Sequence, residues 1–235
     1  YWSEVNTGTR DLARHSLMWI PRDSGLQTRM LRLCQAFPVA LLFNLNDKGC
    51  HHNMKRLSRY GPEQFQNRVL AEFRAEIEDI YSQDETFKDN DTLQKDCERI
   101  CRVKAQGGNA PLEIVTCMGE IVAACHQHNV HPVYVRELDI QTQRLCKALG
   151  STERIVKTPM PTGFTRHSSR LLFIWSNTLP FALYPLLGPF GTMPAALLAS
   201  YAVLGIEDIS IQLEDPFDIL PLRQYSDTMF DSIKA

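Results

Sequence analysis

The sequence predicts an all-α protein, a helical body that leads into a membrane hairpin near the C-terminus. Three observations carry this. Apolar residues recur at helical spacing along most of the chain, no stretch shows sustained two-residue alternation, and Leu171–Ile206 contains no Asp, Glu, Lys, Arg or His. Bulk averages hide the third. The 235 residues are 44% hydrophobic and 22% charged with a formal charge of −2, and the mean hydropathy is −0.23. Such values describe one or two globular domains and lack the basic excess of a nucleic-acid binder. All formal charge is confined to the rest of the chain, so two materials are joined in one sequence.

Taken in order, YWSEVNTGTRDLARHSLMWI (Tyr1 to Ile20) reads as an imperfect amphipathic helix with Val5, Leu12, Leu17, Met18 and Ile20 as its apolar set, stopped by Pro21. The second helix, Ser24 to Asn46, has Ser24 as N-cap and a stripe of Leu26, Met30, Leu33, Phe37 and Leu41, with Pro38 expected to kink or interrupt it. In the polar middle, Asp47 to Asn109, helical spacing runs through Phe65, Val69, Phe73 and Ile77 before the loop AQGGNAP. Pro111 then opens a helix at its first turn, with Ile114, Cys117, Met118, Ile121 and Val122 on its apolar face. The chain breaks at Pro132 and resumes as a further helix.

The charge-free run is too long for one bilayer crossing, which takes roughly 20 residues, and suits two short ones. GPFGTMP (Gly188 to Pro194) supplies the break, two glycines and two prolines that cannot sustain a helix. A helical hairpin follows. It could be the buried hairpin of a soluble core, a reading that Ser176, Asn177, Thr178 and Pro180 keep open; the apolar character of both arms on all sides favours the membrane. Arg154, Lys157, Arg166 and Arg170 precede the first arm and the turn carries no Lys or Arg, the asymmetry expected if the bulk lies on the cytosol-like side.

Candidate chemistry is sparse. Cys125, His126, His128 and His131 cluster in CHQHNVH, where Cys125 with His128, or His128 with His131, would share a helical face; Cys97 and Cys101 are four apart on a helix; Cys50, His51 and His52 form a third group. Structural zinc takes four ligands in a closed site, and none of the three groups has paired CxxC or HExxH spacing, so interface, core or solvated residues are the simpler reading. Seven cysteines cannot all pair within one chain, which fits a reducing compartment. No nucleophile elbow or phosphate-binding glycine loop occurs, and Gly107 and Gly108 lie in a polar loop with no strand before them. The chain is not expected to be an enzyme, nor to hold a cofactor or a resident metal.

A resemblance appears in LGSTERIVKTPMPTGFTRHSSR, Leu149 to Arg170. The stretch resembles the signature of bestrophin-family anion channels of the bacterial and plant type, in which a helix ending in ERI is followed by a TP-x-P turn and the third transmembrane helix. FALYPLLGPFGTMPAALLASYAVLGIEDISIQLEDPFDILPL is similar to the family's last hairpin, with its GIE step, acidic EDPF end and leucine-proline pair. YWSEVNTGTRDLARHSLMWI resembles the cytoplasmic end of the family's second helix, and QAFPVALLFNLN the AFP-rich helix after it. From about Cys50 to Pro111 no family motif is legible.

The resemblance implies residues 1–20 as the end of a second transmembrane helix, 21–164 as a cytosol- or stroma-side helical body, 165–213 as a transmembrane hairpin and 214–235 as a tail. It also implies a homopentamer in a lipid membrane with a central pathway for chloride or other monovalent anions, bicarbonate among them. On this reading the sequence begins inside the second helix, and the first helix and the apolar neck lie upstream. A cytosol-side constriction follows by the family's spacing: counting back from Phe164 lands on Val133, directly after Pro132. Five small apolar side chains around an axis cannot replace an ion's hydration shell, so weakly hydrated anions pass more readily. The ordinary alternative is a core valine at a helix start.

Animal members carry a calcium clasp after the fourth helix. Here Glu214, Asp215, Asp218 and Asp227 are scattered, short of the six to eight converging oxygens calcium takes, and Glu214 and Asp215 are expected to pair with Arg166 and Arg170. The short EDPFDILPL ending looks like plastid members and implies a thylakoid location. A membrane-anchored scaffold, or a non-conducting relative, is the alternative function.

Overall fold

The computed structural model of the chain describes residues 2–22, 25–53, 62–83, 90–157, 162–214, 223–224 and 227–228. Among these, seven α-helices follow one another: α1 (Trp2–Trp19), α2 (Leu26–Asn53), α3 (Pro62–Ser82), α4 (Asp91–Ala105), α5 (Ala110–Cys125), α6 (Pro132–Lys157) and α7 (Thr162–Glu214). They fall into two compact units, one within Tyr1–Val156 together with Pro221–Ala235 and one within Lys157–Leu220. The fold is all-α, as the hydrophobic periodicity predicts. Ser24, Pro159, Pro161, Asp215 and Asp218 lie outside the described residues, as do the side chains of Cys50, His51, His52, Phe164 and Glu214.

Helix α2 is the axis of the first unit. Leu33, Cys34, Ala36, Phe37, Ala40, Leu41 and Leu45 are fully buried, and α1, α3 and α5 pack against it. Residues 33–45 are buried on every side, as the centre of a helical unit requires. Pro38 does not interrupt it: α2 continues through the proline to Asn53. The amide that proline lacks weakens one turn, and packing on several sides holds that turn helical.

Helix α1 buries only part of the apolar set that its hydropathy predicts. Val5, Leu12 and Ile20 are buried, but Leu17 and Met18 are 49% and 67% exposed. The buried stripe is Val5, Gly8, Thr9, Leu12, Ala13 and Ser16, at helical spacing. Thr9 and Ser16 can enter the core because their hydroxyls donate to the Val5 and Leu12 carbonyls at 2.9 and 2.7 Å. Gly8 sets how closely α1 approaches α6, since a Cβ built there would lie 2.8 Å from Leu145 Cδ2. Gly8→Leu is accordingly expected to destabilise the body by about 1–3 kcal/mol through overpacking, read as a fall in the melting temperature of the detergent-solubilised protein.

Two asparagines start the next helices. Asn90 caps α4 by accepting from the Thr92 and Leu93 amides, and Asn109 caps α5 by accepting from Leu112, with Pro111 in the first turn as predicted. The Asn109 side chain also donates to Glu153 Oε1 at 2.6 Å, and Asn44 donates to the same oxygen at 3.0 Å. One buried carboxylate on α6 thereby ties together α2 and the start of α5.

A buried ion pair joins α2 to α4. The Arg29 guanidinium on α2 forms a two-pronged pair with Asp96 on α4, one arm at 2.8 Å, and its Nη2 also reaches Glu120 Oε2 on α5 at 3.2 Å. Arg99 donates to Glu120 Oε1 at 2.7 Å and pairs with Glu113. The hydrogen bond with Asp96 raises the pKa of Arg29. Burial alone would push the Glu120 carboxyl up, but hydrogen bonds and charge from Arg99 and Arg29 hold it below the ordinary range. Because the folded pKa lies below the unfolded one, this stabilisation is present above the unfolded value of about 4.3 and is lost as pH falls through the folded value. Glu120→Gln is therefore expected to lower stability at neutral pH and to flatten its fall below about pH 4, measured by thermal unfolding across pH.

The second unit is a hairpin. Helix α7 is helical on both sides of Gly188, whose backbone stands at φ 65°, ψ −179°. The predicted seven-residue break contracts to that residue. The arms return alongside one another: Ser176 Oγ donates to Ser200 Oγ at 2.7 Å, and the Ser169 and Ser168 hydroxyls donate to the Glu207 carboxylate at 2.9 and 3.4 Å. Both sets of contacts are centred on Gly188. Small residues of the second arm face inward, Thr192 and Ala196 being buried, while Phe190 is 94% and Phe181 81% exposed. Arg166–Ile209 is long and apolar enough to cross a membrane, its most apolar 18-residue window having a mean hydropathy of 1.4 with 11% of that window buried. A hairpin of a soluble core would bury those side chains.

Candidate functional site

The predicted pathway residue, Val133, lies in the first turn of α6. Helix α5 ends at Cys125, and the chain passes through a turn in which Asn129 takes a positive φ of 56°. Val130 is buried and anchors the turn. His131, Pro132, Val133 and Tyr134 then stand exposed before Val135, Leu138, Leu145, Ala148 and Leu149 return to the core. At 62% exposure Val133 is not the core valine that the ordinary alternative requires.

Its mount is rigid. The Val133 amide donates to His131 Nδ1 at 3.3 Å, and the His131 carbonyl accepts from the Tyr134 and Val135 amides at 2.9 and 3.2 Å. Tyr134 stacks on Trp19 of α1 with ring centroids 4.8 Å apart, and Trp19 stacks on His15 at 4.2 Å. The His131 ring lies 5.7 Å from that of Tyr134 at a tilt. A column of rings thus fastens the start of α6 to the end of α1. The sequence reading singled out Val133 but passed over Trp19, Tyr134 and the capping role of His131. Aromatic residues at two helix termini were the available signal, and nothing local in the sequence pairs them.

The other candidate clusters come apart. Cys125 is fully buried at the end of α5, and burial raises its thiol pKa, whereas His126, His128 and His131 lie exposed in and after the turn. They do not share a helical face. Cys97 and Cys101 do, and the hydrogen bond between them pushes Cys97 up and holds Cys101 down. No group of three or more His, Cys, Asp or Glu residues among those described is arranged to hold a metal ion.

A charge-free apolar hairpin joined to a helical body with buried ion pairs defines an integral membrane protein of the helical class. Residues 1–235 match the family model of the bacterial/fungal bestrophin protein, and the chain belongs to that family. The match includes the stretch from Cys50 to Pro111, where no motif was legible. A voltage-dependent anion channel-forming protein of Nostoc sp. is 26% identical across 97% of this chain and 64% of its own length. The chloroplastic voltage-dependent chloride channel 2 of Arabidopsis thaliana is 24% identical across 95% of this chain and 45% of its own length. The chain therefore spans less than two thirds of these relatives. A crystal structure of a bacterial bestrophin homologue from Klebsiella pneumoniae superposes with a TM-score of 0.75 at 19% identity, over 99% of this chain and 74% of that one, a likeness of fold. The Nostoc and Arabidopsis relatives are named as channels.

Proposed function

We propose that this chain is part of an anion-channel subunit, assembled as a homopentamer around a central pathway, with Val133 forming a constriction on the side of the helical body. One observation carries the reading: an apolar side chain, 62% exposed, is held outward on a helix start braced by a hydrogen-bonded cap and a ring column. A valine ring of this kind offers no groups to replace hydration water, so it favours weakly hydrated anions and can gate by dewetting. Residues 1–20 are read as the end of a membrane helix, 21–164 as the body, 165–213 as a hairpin that crosses and returns, and 214–235 as a tail. The names of the relatives support chloride as the permeant ion; bicarbonate is a second candidate that those names do not mention, and the chloroplastic relative supports a plastid membrane, which we take to be the thylakoid.

The test is reconstitution of the full-length protein into a planar bilayer. Anion-selective current is expected, and Val133→Ala is expected to reduce discrimination between iodide and chloride by widening the ring. Unchanged permeability ratios would remove Val133 from the pathway. Absence of any anion current from a folded oligomer would favour a membrane-anchored scaffold instead.

A further inference from the structure

His131 occupies the N-cap position of α6. Its carbonyl receives the first helical amides and its Nδ1 accepts the Val133 N–H at 3.3 Å, while Pro132 fills the first helical position, where a missing amide is no loss. Caps of this kind are ordinarily made by Ser, Thr, Asp or Asn, whose acceptor oxygen is available at any pH near neutrality. An imidazole differs. One nitrogen of the neutral ring accepts, but both donate once the ring is protonated. Protonation would therefore strip the Val133 amide of its partner and set a cation against the positive end of the helix dipole. Histidine is the side chain whose charge ordinarily changes between about pH 5 and 8.

We infer that His131 is a positioning residue for Val133 and makes the constriction acid-sensitive, protonation of its ring loosening the turn that carries Val133. This rests on the pathway reading of Val133. The titratable and charged groups around the site are His126 and His128 in the preceding turn, Tyr134, Arg136 and Glu137 on α6, and, through the Trp19 and Tyr134 rings, His15 of α1, whose Nε2 is 3.4 Å from Arg14. Among the described residues, His131 is the one whose ring nitrogen accepts from the Val133 amide. Tyr134, stacked on Trp19, stays docked on α1, so loosening is confined to residues 131–133.

The experiment compares wild type, His131→Asn and Val133→Ala, each full-length in a planar bilayer, with the bath facing the helical body stepped from about pH 8 to about pH 5.5, a range spanning ordinary histidine titration. Asn is chosen because its Oδ1 caps and does not titrate. In wild type the iodide-to-chloride permeability ratio should move on acidification toward the Val133→Ala value; in His131→Asn it should stay at the neutral value. A wild-type ratio that ignores pH, or an Asn variant that keeps the response, overturns the inference. A second readout needs no current: hydrogen exchange at the Val133 amide, corrected for intrinsic rate, should lose about fivefold protection on acidification in wild type and not in His131→Asn, the size of a lost cap. If exchange responds so but Val133→Ala leaves the permeability ratio untouched, the cap stands and the pathway reading fails, so the two failures are read separately.

Discussion

Asp96→Ala is expected to lower the stability of the helical body by about 3–5 kcal/mol, the cost of leaving one member of a buried ion pair without its partner. The Asp96 side chain is 4% exposed and that of Arg29 16%, so the guanidinium would lose its two-pronged acceptor where water cannot replace it. Glu120 would keep a single contact with Arg29, but that carboxylate is 44% exposed and screened by solvent. The three groups connect α2, α4 and α5, so their loss loosens several interfaces together. For a chain of this size the change corresponds to a fall in melting temperature on the order of 10 °C, measured by thermal unfolding in detergent. The joint replacement Arg29→Met with Asp96→Leu should recover most of it, because apolar side chains of similar volume avoid the desolvation that the charges incur. A single-variant loss below about 1 kcal/mol, the range of an exposed pair, would show that water reaches Arg29.

Gly188→Ala is the second large effect, and it acts through the backbone alone. A Cβ at this position would meet nothing within 4 Å, yet φ 65° with ψ −179° is a region that residues with side chains essentially do not enter. Holding alanine there costs on the order of 1–3 kcal/mol, and the alternative is to re-aim the second arm. The contacts of Ser176 with Ser200 and of Ser169 with Glu207 depend on that aim. Paired replacements Ser176→Cys and Ser200→Cys should cross-link readily under oxidation with Gly188 present, and poorly when Gly188→Ala is added. Gly205→Ala, where a Cβ also meets nothing within 4 Å and φ is not positive, is the control and should leave the cross-link intact. Equal cross-linking in all three backgrounds would mean that the hairpin does not need glycine at its bend.

The hairpin was legible because it depends on composition: a charge-free run longer than one crossing, broken by glycine and proline, has few other outcomes. The faces of α2 and α5 were legible because large apolar side chains mark them. The face of α1 was legible only in part: Val5, Leu12 and Ile20 mark it, but Gly8, Thr9, Ala13 and Ser16 fill the rest of it, where α1 packs on α2 and Gly8 stands close to Leu145 of α6, and small side chains carry little hydrophobic signal. Pro38 does not interrupt α2, since the turn it weakens is held by packing on several sides.

Val133 was reached through a resemblance, and its surroundings were not reached at all. Trp19 and Tyr134 are far apart in sequence, and no spacing rule pairs rings on separate helices; likewise Arg29, Asp96 and Glu120 look like ordinary surface charges until α2, α4 and α5 meet. By itself the sequence determined the helical class, the apolar hairpin and the point of its turn, because periodicity, charge and backbone freedom are local properties. Only the tertiary structure decided which charges are buried in pairs, which face of α1 is core and how Val133 is held, because those depend on partners that the chain brings together from a distance.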